Sequence, residues 1–382
     1  MKLKNIFPAS ICIVVSAGIL VFGLWPFNFR PENKVEWLRD QNGVRFYGRG
    51  IIYSEKEVPI LPSLHSSNIP TKLFTVEICI QPDKETFPYL PHIISFCDIQ
   101  KNENFFIGQW KSHLILGKGI HGRNTYREIG IKDVLKKGEM RFVTITIGGD
   151  TTRIYVDGIL LKSSPTFRFF SMNEKPSGNI ILANSPTGES YWTGNLFGLA
   201  LYNSELSEEK VFQHFQRWID QKGFILSSGE GLVALYLFDE HSGEHIHDTV
   251  NHHHLLIPPQ FQSLQKRILI PPWEDFQINR SYLIDILTNI LGFIPFGFFL
   301  SVSLWARNKT AIYGLLLISI LFGGCISLAI ELIQVYLPTR SSQLMDVITN
   351  ILGTAIGVTL FFKTRKSQRV NYLAWSDPRP KY

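Results

Sequence analysis

Long runs without a charged residue constrain this chain more than any other feature of its sequence. Three such runs cover residues 5–29, 286–306 and 310–330, and a shorter run covers residues 347–362. A helix needs about 20 mostly apolar residues to cross a bilayer. The first three runs meet this length, and the fourth meets it if its helix begins at Leu344. The sequence therefore predicts four transmembrane helices, one at the start of the chain and three near its end.

The first run has an alternative interpretation as a cleaved signal peptide, because Lys2 and Lys4 precede an apolar stretch. The run ends in Gly-Leu-Trp-Pro-Phe-Asn-Phe, however, which lacks the small residues of a cleavage site. Trp25 and Phe27 are typical of side chains that anchor a helix at the membrane interface. We therefore predict a retained transmembrane anchor at residues 1–29.

Basic residues near the ends of the runs predict how the chain is oriented. Lys and Arg are concentrated on the cytoplasmic side of membrane proteins. With four crossings, three basic groups share one side: Lys2 and Lys4; Arg307 and Lys309; and Lys363, Arg365, Lys366 and Arg369. Both termini are therefore predicted to be cytoplasmic, and residues 30–280 to lie outside. The net charge of +6 is explained by this topology, so we expect the lipid bilayer, and no nucleic acid, as a partner.

The segment between the runs has the pattern of an all-β domain. Short stretches rich in β-branched and aromatic residues begin at Phe74, His92, Asn104, Phe142 and Thr152. Many short strands separated by turns predict a two-sheet sandwich or jelly roll. A helix is predicted from Ser207 to about Trp218, because Ser-Glu-Glu suits a helix N-terminus.

Within residues 45–240 the chain reads, in order, FTVEICIQP, IISF, NFFIGQW, RFVTITIGGDTTRIYVDGILL, GNIILANSPTG and WTGNLFGLALYNSELSEEKVFQHFQRW. This order resembles the laminin G-like, concanavalin A-like domain. The resemblance implies a jelly roll with a binding role, frequently for carbohydrate, although the fold hosts many activities. Some such domains are glycoside hydrolases, but no strand here carries the closely spaced carboxylates of that chemistry. We therefore expect a binding domain at residues 30–254.

The histidines and cysteines of this domain are candidates for metal and disulfide sites. Histidines are common zinc ligands and are concentrated in residues 239–254, but this stretch resembles an edge strand followed by an exposed turn. No metal site is assigned. No cofactor is expected, with calcium in the jelly roll left open because its oxygen ligands can come from many loops. A disulfide between Cys79 and Cys97 is also left open.

The remaining segments complete the predicted multi-domain organisation. Residues 255–280, with four prolines, are predicted to form an extended connector. Residues 281–362 form a three-helix membrane unit, and residues 363–382 a basic cytoplasmic tail.

The three C-terminal helices carry few polar residues, and these recur at helical spacing. The polar cluster predicted from this spacing comprises Asp285, Asn289, Glu331, Gln334, Arg340, Asp346 and Asn350. Residues three or four apart share a helix face. Three carboxylates and one arginine at one membrane depth are expected to face each other or a water-filled cavity. The cluster either only holds the helices together by hydrogen bonds or also binds or reacts, and no catalytic residue is assigned.

Small residues accompany the cluster. Gly297, Gly353 and Gly357 predict close helix packing, and Pro295 predicts a kink. Together with the seven polar positions, this pattern over residues 280–362 resembles the VanZ-like membrane family, with the first helix included. The resemblance implies a protein of the bacterial envelope and a link to teicoplanin-type antibiotic resistance, and brings no established reaction. The domain inserted after the first helix departs from the family, so the antibiotic phenotype is not carried over.

These observations predict a multi-pass protein of the bacterial plasma (inner) membrane that displays a lectin-like domain for an envelope or extracellular glycan, or for a protein. The alternative is an intramembrane enzyme that acts on a lipid-linked or peptidoglycan-type envelope precursor, with Glu331 or Asp346 as general acid or base. No nucleophile–base pair supports that reaction. A small transporter is a third alternative, and the lack of an inverted repeat argues against it.

Overall fold

The computed structural model describes residues 3–59, 73–98, 100, 102–120, 123–148, 151–167, 177–221, 230–276, 280–307 and 312–375. The protein divides into two compact units. We call Arg30–Lys266 the β unit, and Met1–Phe29 together with Arg267–Tyr382 the helical unit.

The β unit is a sandwich of antiparallel sheets. In chain order its described elements are β1 (Val35–Trp37), β2 (Val44–Phe46), β3 (Ile52–Ser54), β4 (Val58–Pro59), β5 (Phe74–Pro82), β6 (His92–Cys97), β7 (Glu103–Trp110), β8 (His113–Ile120), β9 (Arg123–Ile131), β10 (Arg141–Gly148), β11 (Thr151–Val156), β12 (Ile159–Ser164), β13 (Ser177–Leu182), β14 (Gly194–Tyr202), α2 (Glu208–Gln221), β15 (Leu232–Tyr236), β16 (His245–Ile246) and β17 (Leu255–Leu256). One sheet has the order β1-β2-β14-β5-β10-β11-β12, with β15 paired to β14. The other has the order β16-β17-β3-β13-β6-β7-β8-β9, with β4 paired to β13.

Strand β5 shows how a central strand is buried on both faces. Val76 and Ile78 belong to the large core of the sandwich, whereas Cys79, on the alternate face, belongs to a second apolar cluster that also contains Val211 of α2. Successive side chains of a strand point to opposite faces. Both faces of β5 are therefore buried, one by the facing sheet and one by the helix.

The predicted all-β sandwich is confirmed, and the predicted helix at 207–218 corresponds to α2. Residues 255–266, which the sequence placed in the connector, form part of the β unit: β17 pairs with β3, and Asn33 Nδ2 donates to the Pro258 carbonyl at 2.8 Å. Cys79 and Cys97 lie in different sheets and form no disulfide.

The helical unit contains α1 (Leu3–Leu24), α3 (Pro272–Asp275), α4 (Arg280–Arg307), α5 (Ile312–Gln334) and α6 (Leu344–Trp375) among its described residues. By length and composition, three described segments could cross a membrane: Arg280–Ala306, Tyr313–Gln334 and Leu344–Lys366. The apolar segment Ala9–Leu24 of α1 is shorter. The prediction of four spans is therefore not confirmed. Helix α6 also continues past the predicted boundary at residue 362.

Glycines set the distance between α4 and α6. A Cβ on Gly297 would collide with the backbone carbonyl of Thr354, and one on Gly357 with that of Ile294. Gly353 faces the carbonyl of Ile290 in the same way. The two helices can approach this closely only because these positions lack a side chain.

Candidate functional site

A cavity of about 700 Å³ lies within the helical unit. Its polar lining includes every residue of the predicted polar cluster: Asp285, Asn289, Glu331, Gln334, Arg340, Asp346 and Asn350. The structure thus brings together side chains of α4, α5 and α6 and of the loop at residues 335–343. The volume falls within the range of small-molecule pockets. A functional role for the cluster stays a prediction.

Glu331, near the end of α5, holds the α5–α6 loop. Its side chain is buried, and Oε2 accepts a hydrogen bond of 2.7 Å from the backbone N–H of Gln343. The Ser342 hydroxyl also hydrogen-bonds this carboxylate. Since α6 begins at Leu344, these bonds fold the loop back over the end of α5.

Gln334 and Arg340 form hydrogen bonds with the backbone at the C-terminal end of α1. Gln334 Nε2 donates to the Gly23 carbonyl at 2.8 Å. The Arg340 guanidinium donates to the Trp25 carbonyl from Nε at 3.3 Å and from Nη2 at 3.1 Å. Two donors of the cation that lines the cavity are therefore engaged by the protein backbone.

Asn350 has an incompletely satisfied amide. The residue is 5% exposed and lines the cavity. Its Nδ2 donates to Ser327 Oγ at 2.8 Å, which joins α6 to α5. Its buried Oδ1 has no hydrogen-bond partner among the described residues. Exchanging the two amide atoms would leave the nitrogen without an acceptor instead, so one polar atom is unsatisfied in either orientation.

Asp285, Asn289 and Asp346 complete the polar wall. Asp285 is exposed, and the other two are half-buried. Neither the Asp285 nor the Asn289 side chain forms a hydrogen bond with another residue in the described ranges. Gly292, one helical turn from Thr288 and two from Asp285 along the same helix, also lines the cavity, and a Cβ there would have no heavy atom within 4 Å. This wall thus has acceptor groups and open space.

Part of the lining is apolar. It is formed by Val15, Ile19, Phe22, Phe293 and Ile330. The cavity therefore offers both polar groups and apolar surface to a ligand.

Two loops of the β unit form a second candidate site. They are residues 83–91, between β5 and β6, and residues 183–193, between β13 and β14. Buried Gln109 links them, because its Oε1 accepts from Trp192 Nε1 at 2.7 Å and its Nε2 donates to the Lys84 carbonyl at 3.0 Å. The loops are thus held at the same end of the sandwich.

Aromatic side chains of these loops meet two cations, Lys84 of the first loop and Arg49 from between β2 and β3. The ring centroids of Tyr191 and Tyr89 are 5.2 Å apart. The Lys84 ammonium lies 5.8 Å from the Tyr191 centroid, and the Arg49 guanidinium lies 5.7 Å from it. We call these four half-buried residues the Tyr191 surface. Burial raises the pKa of the Tyr89 phenol, so its hydroxyl stays protonated at neutral pH.

Sequence reasoning did not find the Tyr191 surface. Its residues come from three separate segments, at positions 49, 84–89 and 191, and share no local motif. The only available signal was the aromatic content of the loops, which is not specific to a binding site.

Asp248 organises the backbone of the histidine-rich stretch. This residue is 2% exposed. Its carboxylate accepts hydrogen bonds from the backbone N–H groups of Leu235, Val250, Asn251 and His253. No group of three or more His, Cys, Asp or Glu converges as metal ligands within the described part of the chain.

A buried ionic network joins α2 to β5. His214 Nδ1 lies 3.1 Å from both carboxylate oxygens of Glu77, and its Nε2 lies 2.9 Å from Glu230 Oε2. Tyr202 donates to Glu77 at 2.9 Å. Burial alone would lower the pKa of His214, but the two carboxylates outweigh it and raise the pKa. Glu77 and His214 are almost completely enclosed, so the network stabilises the fold and cannot contact a large ligand.

Two family models match the chain. The model of the concanavalin A-like lectin/glucanases superfamily matches residues 61–212, and the VanZ/LLP1 model matches residues 231–365. The first match lies within the β unit, and the second begins in the β unit and ends in α6. Both resemblances inferred from the sequence are thereby confirmed: the chain combines a laminin G-like domain with a VanZ-like segment.

Solved structures that are similar to part of the chain have low identity to it. A Bacteroides ovatus protein described as carbohydrate-binding has 16% identity and a TM-score of 0.41, over 61% of this chain and 61% of its own length. A heptameric SAP-like pentraxin from Limulus polyphemus has 14% identity and a TM-score of 0.34, over 48% of this chain and 81% of its own. The binding domain of botulinum neurotoxin serotype D has 14% identity and a TM-score of 0.35, over 50% and 46%. Curated proteins give no match.

Proposed function

We propose that this protein is a multi-pass protein of the bacterial plasma membrane whose β unit binds a glycan of the envelope or of the extracellular surroundings. The observation that carries the proposal is the match of residues 61–212 to the concanavalin A-like lectin/glucanases superfamily in a chain that also has three apolar helices of membrane-spanning length among its described residues. In this proposal the helical unit holds a lectin-like unit at the membrane.

The proposed topology includes α1 as a fourth span, with both termini in the cytoplasm and the β unit outside. The support for it is the distribution of Lys and Arg near the helix ends. Arg307 is the last residue of α4, and Lys363, Arg365 and Lys366 lie in the second half of α6. Four crossings place these residues and the N-terminal lysines on the same side.

The Tyr191 surface is the proposed contact for the glycan. Aromatic rings offer flat apolar area, and a small number of polar groups around them can fix the orientation of a ligand. Arg49 and Lys84 add positive charge beside the Tyr191 ring. Arginine pairs well with carboxylate and phosphate groups. An acidic saccharide, which carries such a group, is therefore the preferred class.

Binding of polysaccharides by the purified full-length protein in detergent tests this function. Neutral and acidic cell-wall fractions are titrated with and without calcium, and we expect saturable binding to an acidic fraction. Tyr191→Ala should weaken this binding at least about tenfold, since a central aromatic contact is commonly worth 2 kcal/mol or more, roughly a thirtyfold change in affinity. Trp110→Ala is the matched control, because Trp110 is 44% exposed and lies outside the Tyr191 surface.

Two results would contradict the proposal at different levels. Absence of saturable binding to every fraction would reject the lectin-like function. A protein would then be the remaining candidate ligand of the β unit. Saturable binding that Tyr191→Ala leaves unchanged would reject the Tyr191 surface and keep the function.

The enzymatic alternative has less support from the geometry. Glu331, one of its two acid–base residues, accepts hydrogen bonds that hold the α5–α6 loop. Asp346 remains as the acid–base residue in this alternative. Its test is consumption of a lipid-linked envelope precursor by the purified protein, and the alternative requires that Asp346→Asn spares the precursor.

A further inference from the structure

The helical unit's cavity has more negatively than positively charged residues in its lining. Its lining contains the carboxyl groups of Asp285, Glu331 and Asp346. The guanidinium of Arg340 is directed by two of its donors to the Trp25 carbonyl. Because carboxylates outnumber the cation in the lining, the cavity attracts positive charge and disfavours an anion.

Asn350 gives an independent indication of a ligand. Its side chain is 95% buried, yet one amide atom has no partner among the described residues. A buried polar atom without a partner costs about 1–3 kcal/mol. A ligand that donates a hydrogen bond in the cavity would satisfy the amide oxygen and remove this cost.

The apolar wall restricts the ligand further. Phe22, Phe293 and Ile330 line the cavity together with the acceptor groups. A hydrated metal ion or a free amine would leave this wall exposed to water. An amphipathic molecule covers it with hydrocarbon while its head group reaches the carboxylates.

We propose that this cavity binds the primary ammonium head group of a lipid, with part of an acyl chain against the apolar wall. The ammonium donates to Asp285, Asn289 and Asp346 and reaches the unsatisfied amide of Asn350. The assignment of the ligand as a lipid depends on the proposed membrane location of the protein. The assignment of its head group as an ammonium depends only on the residues that line the cavity.

Lipid binding by the delipidated full-length protein in detergent tests this inference. The probes are dioctanoyl phosphatidylethanolamine, dioctanoyl phosphatidylglycerol and free ethanolamine, with complexes counted by native mass spectrometry. The two lipids share their acyl chains and phosphate, and only the first carries an ammonium. We expect phosphatidylethanolamine to bind about tenfold more tightly than phosphatidylglycerol, the change for one hydrogen bond to a charged group.

Two variants locate the site. Asp285→Asn removes a charge from an exposed carboxylate that has no hydrogen-bond partner in the described ranges, and should abolish the preference for the ammonium lipid. Gly292→Leu places a side chain where a Cβ meets no heavy atom within 4 Å, and should reduce the binding of both lipids at least about tenfold by filling the cavity.

Each variant has a matched control outside the cavity lining. Glu274→Gln removes a charge from an exposed ion pair with Arg267, and Thr359→Leu adds a leucine at an exposed position of α6 whose hydroxyl bonds only its own helix. Both controls should bind lipid as the wild type does. Elution profiles and melting temperatures of all variants establish that they are folded.

The outcomes separate the parts of the inference. Equal binding of the two lipids would overturn the ammonium assignment, and free ethanolamine binding as tightly as its lipid would overturn the lipid source. Wild-type binding by folded Asp285→Asn and Gly292→Leu would overturn the location. Since lipid and glycan binding are measured separately, failure of this inference leaves the proposed glycan function standing, and the reverse also holds.

Discussion

At the residue scale, the buried pair of His214 and Glu77 makes the stability of the β unit depend on pH. The raised pKa of His214 means that the folded state holds this proton more tightly than the unfolded state does. The stabilisation is therefore complete below the unfolded pKa of about 6.5 and is lost as the pH rises through the higher folded pKa. We expect the free energy of unfolding to decline over this interval.

His214→Leu should remove this decline and destabilise the protein by about 3 kcal/mol, because it leaves the Glu77 carboxylate buried without its cation. Urea unfolding at several pH values, followed by tryptophan fluorescence, measures both effects. The double variant Glu77→Gln with His214→Leu is the control, since removing both charges should restore part of the lost stability. A decline that persists unchanged in His214→Leu would show that another group causes it.

Individual residues of the cavity could be predicted from sequence for a simple reason. Asp285 with Asn289, and Asp346 with Asn350, are spaced by four, so each pair shares a helix face. The partners of Gln334 and Arg340 could not be predicted in this way, because they are the backbone carbonyls of Gly23 and Trp25. A backbone acceptor has no signature in the sequence.

At the scale of elements, the contact between α4 and α6 depends on glycine. Gly357→Ala should lower the melting temperature in detergent, because the new Cβ would meet the Ile294 carbonyl and overpacking typically costs about 1–3 kcal/mol. Gly18→Ala in α1 is the matched control, since a Cβ there meets no heavy atom within 4 Å. A Gly357→Ala protein as stable as the wild type would show that the helices can separate without cost.

Strands differ in how well their composition predicts them. Strand β5 is rich in β-branched and aromatic residues and is buried on both faces, and its start at Phe74 was predicted. Strand β9 contains Arg123, Arg127 and Glu128 and was not predicted. Its hydrogen bonds to β8 come from its place in the sheet, and β propensity depends strongly on such context.

At the scale of the whole molecule, sequence composition separated the β unit from the apolar helices but placed the boundary between them differently. Prolines at 258 and 259 suggested a connector, whereas the structure has β17 paired with β3 and Pro258 bonded to Asn33. Proline is compatible with strand ends and irregular edges. A local sequence pattern cannot predict pairings between residues that are more than 200 positions apart in the chain.

The last prediction concerns the membrane topology of the whole protein, which depends on whether α1 crosses the membrane. We expect a membrane-impermeant maleimide to label Ile159→Cys, an exposed position of the β unit, in intact cells. Lys366→Cys, at the last residue of the membrane-length segment of α6, should be labelled only after permeabilisation, and the parent protein without added cysteine gives the background. An N-terminal epitope tag should be protected in intact cells if α1 crosses, because a chain with four spans has both termini inside. Accessibility of the tag in intact cells, with the same labelling of the two cysteines, would leave three spans and place the N-terminus outside with the β unit.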